Sequence, residues 1–410
     1  MSAILPERLR QRADYTHKPN LKTGRHGWLR LTPAYSVKVV EEVIEQCGRP
    51  MRILDPFCGT ATTALSAAYH GHAGVTTDIN PFLVWLRRVK VATYSAENIE
   101  ATRAAATEAV SLVRHGDLNP VLPPPIHNIE RWWPAAALKF LCLLRAAVEQ
   151  ASEPGSAERT LLMVAFCRTL IALSNAAFNH QSMSFKEAPP CLPLDLDMGS
   201  IYAEDVRFVL LGAAENPEGS GEVLLSDARN LSAVPGRFDL VVTSPPYANR
   251  MSYIRELRPY MYWLGFLASG RDAGELDWTA IGGTWGCATS RLTEWTRPAE
   301  GFSNLHLEGV LKAVGHADNK NGRLLSSYID KYFSDMWAHM QAMADKVEPG
   351  GRVHYIVGNS TFYGSLLSVE RVYAEMLSSL GFRDVACRAI RKRNSKKELV
   401  EFDVTGTRSP

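Results

Sequence analysis

The segment from Met51 to Asp78 constrains the fold more than any other part of the chain. Met51–Leu54 predicts a short buried strand, and Asp55–Thr60, with the sequence DPFCGT, predicts a glycine-bearing loop. Ala61–His70 carries apolar residues at helical spacing, and Gly74–Asp78 predicts a second strand. A strand, a loop, a helix and a strand in this order are typical of neighbouring parallel strands.

The same alternation returns after residue 200 and predicts one α/β doubly wound sheet, mostly parallel. Its last two strands, FRDVACRAIRKRN and LVEFDVTGT, predict an antiparallel C-terminal hairpin at the sheet edge. Residues 95–199 are rich in Ala and Leu at helical spacing and predict a helical insertion. Residues 268–322 are rich in Gly, Thr and Trp, and we interpret them as an irregular insertion without assigned structure.

Composition favours a globular protein with a large core, since 46% of the 410 residues are hydrophobic and 21% are charged. The longest apolar segment, from Leu161, is interrupted by Arg168 and Asn175, which predicts a buried helix and no membrane partner. The seven cysteines form no CxxC pair, which argues against a zinc site and a disulfide framework. With no apolar signal-peptide core at the N-terminus, we expect a cytoplasmic location.

Positive charge is concentrated near both ends of the chain. Residues 1–30 predict a basic N-terminal arm, which contains Arg8, Arg10, Arg12, Lys18, Lys22, Arg25 and Arg30. The second cluster contains Arg388, Arg391, Lys392, Arg393, Lys396 and Lys397. Such clusters attract phosphate backbones, although a solvated surface is the alternative interpretation.

The loop DPFCGT has the features of a cofactor site. Gly59 lets a ligand approach the backbone, and Asp78 ends the next strand, where a carboxylate can accept hydrogen bonds from ribose hydroxyls. A nucleoside-containing cofactor is therefore predicted. The run Gly59-Thr60-Ala61 lacks the G-x-G-x-x-G pattern of dinucleotide sites, which counts against NAD or FAD. The alternative is a tight turn that binds nothing.

The run TSPPY, after the strand that begins at Phe238, has the features of a second site. Pro245 and Pro246 cannot donate to a sheet ladder, so they end the strand at the edge where parallel sheets bind ligands. The Ser244 hydroxyl, free carbonyls and the Tyr247 ring suit a planar group that carries an NH2. The alternative is a Pro-Pro loop in which Tyr247 only packs.

In this order, DPFCGTATT and TSPPY resemble motifs I and IV of the DNA amino-methyltransferases, which methylate cytosine N4 or adenine N6 with S-adenosylmethionine. The resemblance implies the class I methyltransferase (Rossmann-like) fold, with a catalytic domain at residues 31–94 and 200–410. It also implies that residues 95–199 contain a target-recognition region, and that the partners are double-stranded DNA and a cognate restriction endonuclease.

The resemblance also implies roles for individual residues. The cofactor-binding residues would be Thr32, Pro33, Asp55, Pro56, Phe57, Cys58, Gly59, Thr60, Asp78, Ile79 and Asp227, with Pro81 and Phe82 also packing on adenine. The catalytic residues would be Ser244, Pro245, Pro246 and Tyr247, with the target base flipped out of the duplex onto Tyr247. Arg250, Arg255 and Arg258 are expected to hold phosphates.

Two features keep alternatives open. Ser244 in the first position of motif IV favours cytosine N4, while N6-adenine and RNA amino-methyltransferases remain alternatives. Ala61 stands where the family has its second glycine, a departure that would loosen the cofactor pocket or mark a non-catalytic DNA-binding subunit.

Overall fold

A computed structural model describes most of the chain. The described residues are 9–16, 18–31, 35–116, 118–177, 184–186, 196–284, 290–317, 321–393 and 398–410. Thr32 and Pro33, which were predicted to bind the cofactor, lie outside them, as do Lys396 and Lys397 of the C-terminal basic cluster.

Seven strands form the central sheet. They are β1 (Arg52–Asp55), β2 (Ala73–Asp78), β5 (Ser220–Leu225), β6 (Phe238–Thr243), β7 (Val347–Gly358), β10 (Phe382–Lys392) and β11 (Val400–Arg408). Two small hairpin-like pairs lie outside it: β3 (Ala176–Ala177) with β4 (Ser184–Phe185), and β8 (Ser360–Phe362) with β9 (Ser365–Leu367).

The strand order in the central sheet is β10-β11-β7-β6-β1-β2-β5. Strand β1 runs parallel to β2 and β6, β2 is parallel to β5, and β6 is parallel to β7. Strand β11 is antiparallel to both β7 and β10. The predicted class I methyltransferase fold, with a mostly parallel sheet and an antiparallel C-terminal hairpin, is therefore confirmed.

Helices cover both faces of this sheet. They are α1 (Val37–Ile44), α2 (Thr62–Tyr69), α3 (Pro81–Val91), α4 (Ala96–His115), α5 (Ile129–Trp132), α6 (Ala135–Ala151), α7 (Ala157–Ala172), α8 (Met198–Ala213), α9 (Tyr253–Trp263), α10 (Gly270–Thr279), α11 (Leu305–Gly315), α12 (Gly322–Ala344) and α13 (Val369–Ser379). Within the described ranges, no helix combines the length and apolarity needed to cross a bilayer.

Most of the helices belong to two large apolar cores, while α1 packs with β1 and β6 in a smaller one. Helices α4, α6, α7 and α8 pack on one another, and their buried side chains continue into those of α3 and α9. Helices α12 and α13 pack with the central strands in the second core. Residues 268–322, which we interpreted as an irregular insertion, contain two regular helices, α10 and α11.

The loop after β1 is shaped by two residues with positive φ. Gly59 has φ 46°, and Ala61, with φ 72°, takes the left-handed conformation immediately before α2. The Cys58 N–H donates to the Thr77 carbonyl at 3.1 Å, which ties the loop to β2. The loop consequently opens toward the carboxyl ends of the parallel strands, as the sequence predicts.

Arg25 differs from its predicted place in a basic arm. Its side chain is 0% exposed and donates to the carbonyls of Gly212 and Ala213, at the end of α8, and of Lys90 in α3. The last carbonyls of a helix have no partner within the helix, so a guanidinium that caps them stabilises the packing. Arg25 therefore joins two helices and is not available to nucleic acid.

Candidate active site

A pocket of about 700 Å³ lies at the carboxyl ends of β1, β2, β5 and β6. Both regions predicted from the sequence reach it. Its wall contains the predicted residues Pro56, Phe57, Gly59, Asp78, Ile79, Asp227, Ser244, Pro245, Pro246 and Tyr247. Pockets of this size hold small-molecule cofactors, and their position at strand ends is the usual one for α/β sheets.

One end of the pocket is acidic. Asp78 ends β2 and accepts the Asn80 backbone N–H at 2.9 Å. Burial chiefly, and the nearby Asp55 carboxylate to a lesser degree, raise the pKa of Asp78 to about 7. Asp227 follows β5, the neighbouring strand. Two carboxylates on adjacent strands suit hydroxyl and amino donors, and they would repel a pyrophosphate.

Asp227 is also bound by a cation of the chain itself. The Arg229 Nη2 donates to Asp227 Oδ2 at 2.6 Å, and Nε donates to Oδ1 at 3.0 Å. Burial would raise the pKa of Asp227, but the hydrogen bonds from Arg229 outweigh burial and hold it below its ordinary value. Arg229 also donates to Asp335 and to the Thr279 carbonyl, so it links this end of the pocket to α10 and α12.

The other end of the pocket offers hydrogen-bond acceptors. The Ser244 hydroxyl donates its proton to the Ile356 carbonyl of β7 at 3.0 Å. Since a hydroxyl has one proton and two lone pairs, Ser244 faces a ligand as an acceptor. The Pro246 carbonyl accepts the Tyr332 hydroxyl at 2.8 Å. Among the described residues, no donor bonds the Pro245 carbonyl.

Tyrosine hydroxyls from two helices hold the loop that follows β6. Besides the bond from Tyr332, the Tyr247 N–H donates to the Tyr253 hydroxyl at 3.2 Å. The Arg250 N–H donates to the Tyr328 hydroxyl at 3.1 Å, and Arg250 itself has φ 62°. Tyr328 and Tyr332 are 2% and 1% exposed, so these anchors lie in the protein interior. The loop is therefore fixed at three points.

Several predicted cofactor residues lie behind the pocket wall. Asp55 is 1% exposed and accepts the Thr243 hydroxyl at 2.5 Å, while its Oδ2 is buried without a partner among the described residues. Cys58 is 0% exposed, and the Thr60 hydroxyl pairs with that of Thr62. Phe82, which was expected on adenine, stacks on Tyr260 in the core with ring centroids 5.2 Å apart.

Of the three arginines expected to hold phosphates, Arg250 and Arg258 differ in their surroundings. The Arg258 guanidinium lies 5.3 Å from the Trp132 ring, and its Nε donates to the Arg255 carbonyl. Burial lowers the pKa of Arg258. Arg250 is exposed in the loop that follows β6. Arg258 consequently joins α9 to α5, whereas Arg250 lies where a phosphate can reach it.

Three groups of pocket residues were not assigned to this site from the sequence, although Lys18, Arg30, Arg391 and Arg393 belong to the predicted basic clusters. They are Tyr15, Thr16, Lys18, Arg30 and Tyr35 near the N-terminus, Thr279, Ala280 and Ile281 after α10, and Arg391, Arg393 and Glu401 of the hairpin. The basic residues left a sequence signal in their charge clusters, whereas Glu401 is one of two acids in β11, with Asp403, and nothing in the sequence distinguishes them.

Comparison with known proteins finds similarity to two type II methyltransferases. The chain is 20% identical to the type II methyltransferase M.BsoBI of Geobacillus stearothermophilus over 443 aligned residues, which cover 94% of this chain and 84% of that protein. It is 23% identical to the type II methyltransferase M.MvaI of Kocuria varians over 305 residues, covering 68% and 64%. No family model matches the chain. The two similarities confirm the DNA methyltransferase resemblance that the motifs indicate.

Proposed function

We propose that this relative of the type II methyltransferases methylates the N4 amino group of a cytosine extruded from double-stranded DNA, with S-adenosylmethionine as the methyl donor. The observation that carries the proposal is the pairing, in one pocket, of an acidic nucleoside end with two acceptors at the end of β6. The alternatives are methylation of adenine N6 or of RNA.

The residues present fit S-adenosylmethionine better than a phosphate-bearing cofactor. Asp78 can accept the ribose hydroxyls, and Asp227 retains lone pairs for the adenine amino group beside its bonds from Arg229. Ile79 and Leu83 provide apolar contact at the same end. When bound, S-adenosylmethionine supplies an electrophilic methyl group on a sulfonium.

The chain's own contribution is to activate the amino nitrogen. Its lone pair is delocalised into the ring, which makes it a poor nucleophile. Ser244 Oγ and the Pro245 carbonyl would each accept one N–H, which favours a pyramidal nitrogen with its lone pair free. The Pro246 carbonyl is already bound to Tyr332, so Pro245 supplies the second acceptor.

The remaining steps need positioning and proton release. Tyr247 would stack on the extruded base, and the fixed loop would hold it against the donor without a covalent intermediate. With its N–H groups bound to Ser244 and Pro245, the amino nitrogen would accept the methyl group that S-adenosylmethionine supplies when bound, and it would then lose one proton to solvent. Cys58 is buried and bonded to β2 through its backbone, which fits a packing role.

Sequencing that distinguishes modified bases, applied to DNA from cells that express the chain, tests the substrate. We expect N4-methylcytosine at one recognition sequence. N6-methyladenine would instead establish the adenine alternative, and unmodified DNA together with cofactor binding would favour a non-catalytic subunit. A cognate endonuclease and a cytoplasmic location remain predictions.

Two substitutions test the division of roles. Ser244→Ala removes one of two acceptors and should lower kcat about 100-fold while cofactor affinity is retained. Asp78→Ala should weaken cofactor binding and change kcat at saturating cofactor far less. Ser326→Ala is the matched control, because Ser326 also donates to a buried carbonyl, that of Leu311, but lies outside the pocket. Equal loss of kcat and affinity in both pocket variants would contradict this assignment.

A further inference from the structure

The hydroxyl of Tyr247 is bound to a carboxylate of the C-terminal hairpin. It donates to Glu401 Oε1 at 2.7 Å, across 154 positions of the sequence. Glu401 is 5% exposed and lies on the wall of the pocket. A buried carboxylate is costly unless it is paired and hydrogen-bonded, so this contact and its partners hold Glu401 in one place.

The partner of Glu401 is Arg391, which faces it in the register of β10 and β11. Arg391 Nε donates to Glu401 Oε2 at 2.7 Å, and Nη2 donates to Oε1 at 3.2 Å. Both side chains are mostly buried, with 17% and 6% of their surfaces exposed. This two-point pair fixes the orientation of the carboxylate, and the carboxylate fixes the end of the tyrosine ring.

Other hairpin contacts restrict the ring itself. The Arg393 guanidinium lies 4.8 Å from the centroid of the Tyr247 ring. Gly358, at the end of β7, lies against both: a Cβ there would come within 3.0 Å of Tyr247 Cε2 and 2.3 Å of Arg393 Nη1. The ring therefore packs directly on β7 backbone and has little room to rotate.

We propose that Glu401 is a positioning residue for methyl transfer, acting through the Tyr247 hydroxyl to hold the ring in the orientation that receives the extruded base. The inference rests on the proposed function, in which Tyr247 stacks on that base. Arg391 orients Glu401. The C-terminal hairpin therefore sets the geometry of a site whose proposed acceptors, Ser244 and Pro245, follow β6.

A double-mutant cycle between Tyr247→Phe and Glu401→Leu tests this coupling. Each variant should lower kcat/KM for DNA about 10-fold with unchanged cofactor affinity, and the double variant should lie within about twofold of either one. Glu401→Gln keeps an acceptor for the Tyr247 hydroxyl, so it should retain most of the activity that Glu401→Leu loses.

Asp403→Asn is the matched control. Asp403 lies two residues from Glu401 on β11, is 2% exposed, and contacts His354 and Arg388 on the neighbouring strands, but it is not on the pocket wall. It should lose stability in urea unfolding with kcat/KM unchanged.

Additive losses in the double variant would overturn the proposal, and so would a loss in Asp403→Asn equal to that in Glu401→Leu. If the wild-type chain transfers no methyl group, the proposed function fails separately. The cycle measured on DNA affinity then decides the coupling of Glu401 with Tyr247: non-additive losses support it and additive losses reject it.

Discussion

Tyr332→Phe is the substitution that most directly separates the geometry of the loop that follows β6 from its proposed chemistry. The Tyr332 hydroxyl donates to the Pro246 carbonyl at 2.8 Å and lies 2.7 Å from the Tyr373 hydroxyl. Tyr332 touches neither proposed acceptor, yet it fixes the peptide that follows the Pro245 carbonyl. We expect its loss to displace that carbonyl from the amino group.

The magnitude follows from what the substitution leaves unpaired. Tyr332 and Tyr373 are 1% and 0% exposed, so the Pro246 carbonyl loses a partner that water replaces poorly, and Tyr373 loses one in the interior. An unsatisfied buried group costs about 1–3 kcal/mol, which places the loss of unfolding free energy in roughly that range after relaxation. A misplaced acceptor should lower kcat about 10- to 100-fold.

Urea unfolding and single-turnover methyl transfer measure the two effects separately. Tyr373→Phe is the control, because it removes the same hydroxyl pair but leaves the bond from Tyr332 to Pro246. It should lose comparable stability and keep kcat within about twofold. Equal kcat losses in the two variants would show that the hydroxyl pair acts only through stability, and would refute the positioning of Pro245 by Tyr332.

Two further predictions concern the cofactor end of the pocket. Because burial raises the pKa of Asp78 from 3.8 to about 7, the folded chain binds more protons between those values, and this carboxyl's contribution to stability falls as pH rises through that window. Cofactor affinity should change oppositely, rising about tenfold from pH 6 to pH 8 as Asp78 ionises, and calorimetry on Asp78→Asn should show a flat profile. Ala61→Gly should change the free energy of unfolding little, since relief of the left-handed strain, about 1–2 kcal/mol, is offset by the backbone entropy of glycine and one lost methyl contact. With the loop geometry retained, kcat should change less than about twofold. A large rise in kcat would show that alanine weakens the enzyme.

The sequence predicted those parts of the sheet that are defined by a pattern within a short stretch of chain. Strands β1 and β2 and helix α2 lie within one or two residues of their predicted bounds, because apolar periodicity and a glycine loop define them over a short stretch. The α1 helix begins at Val37, immediately after Ser36, which has an extended conformation. Composition alone gave no sign that α10 and α11 lie within residues 268–322.

The site was predictable only on the side formed by β1, β2, β5 and β6. Its remaining wall depends on contacts between distant segments, such as Tyr247 with Glu401 or Arg229 with Thr279. Sequence spacing carries no information about such pairs, because tertiary packing alone brings them together. Phe82 shows the same limit: the resemblance implied contact with adenine, but its ring stacks on Tyr260 of α9 in the core.

Ala61 illustrates how a departure from a motif can leave its geometry intact. The residue keeps the left-handed backbone that a glycine would adopt, and its N–H donates to the Cys58 carbonyl at 3.0 Å. Two buried cations of α3 hold the same loop from behind, as Lys90 Nζ donates to the Thr60 carbonyl at 3.0 Å and Arg87 Nη2 to that of Gly59 at 3.3 Å. These bonds offset a strain of about 1–2 kcal/mol. The substitution therefore gives little reason to expect an inactive subunit.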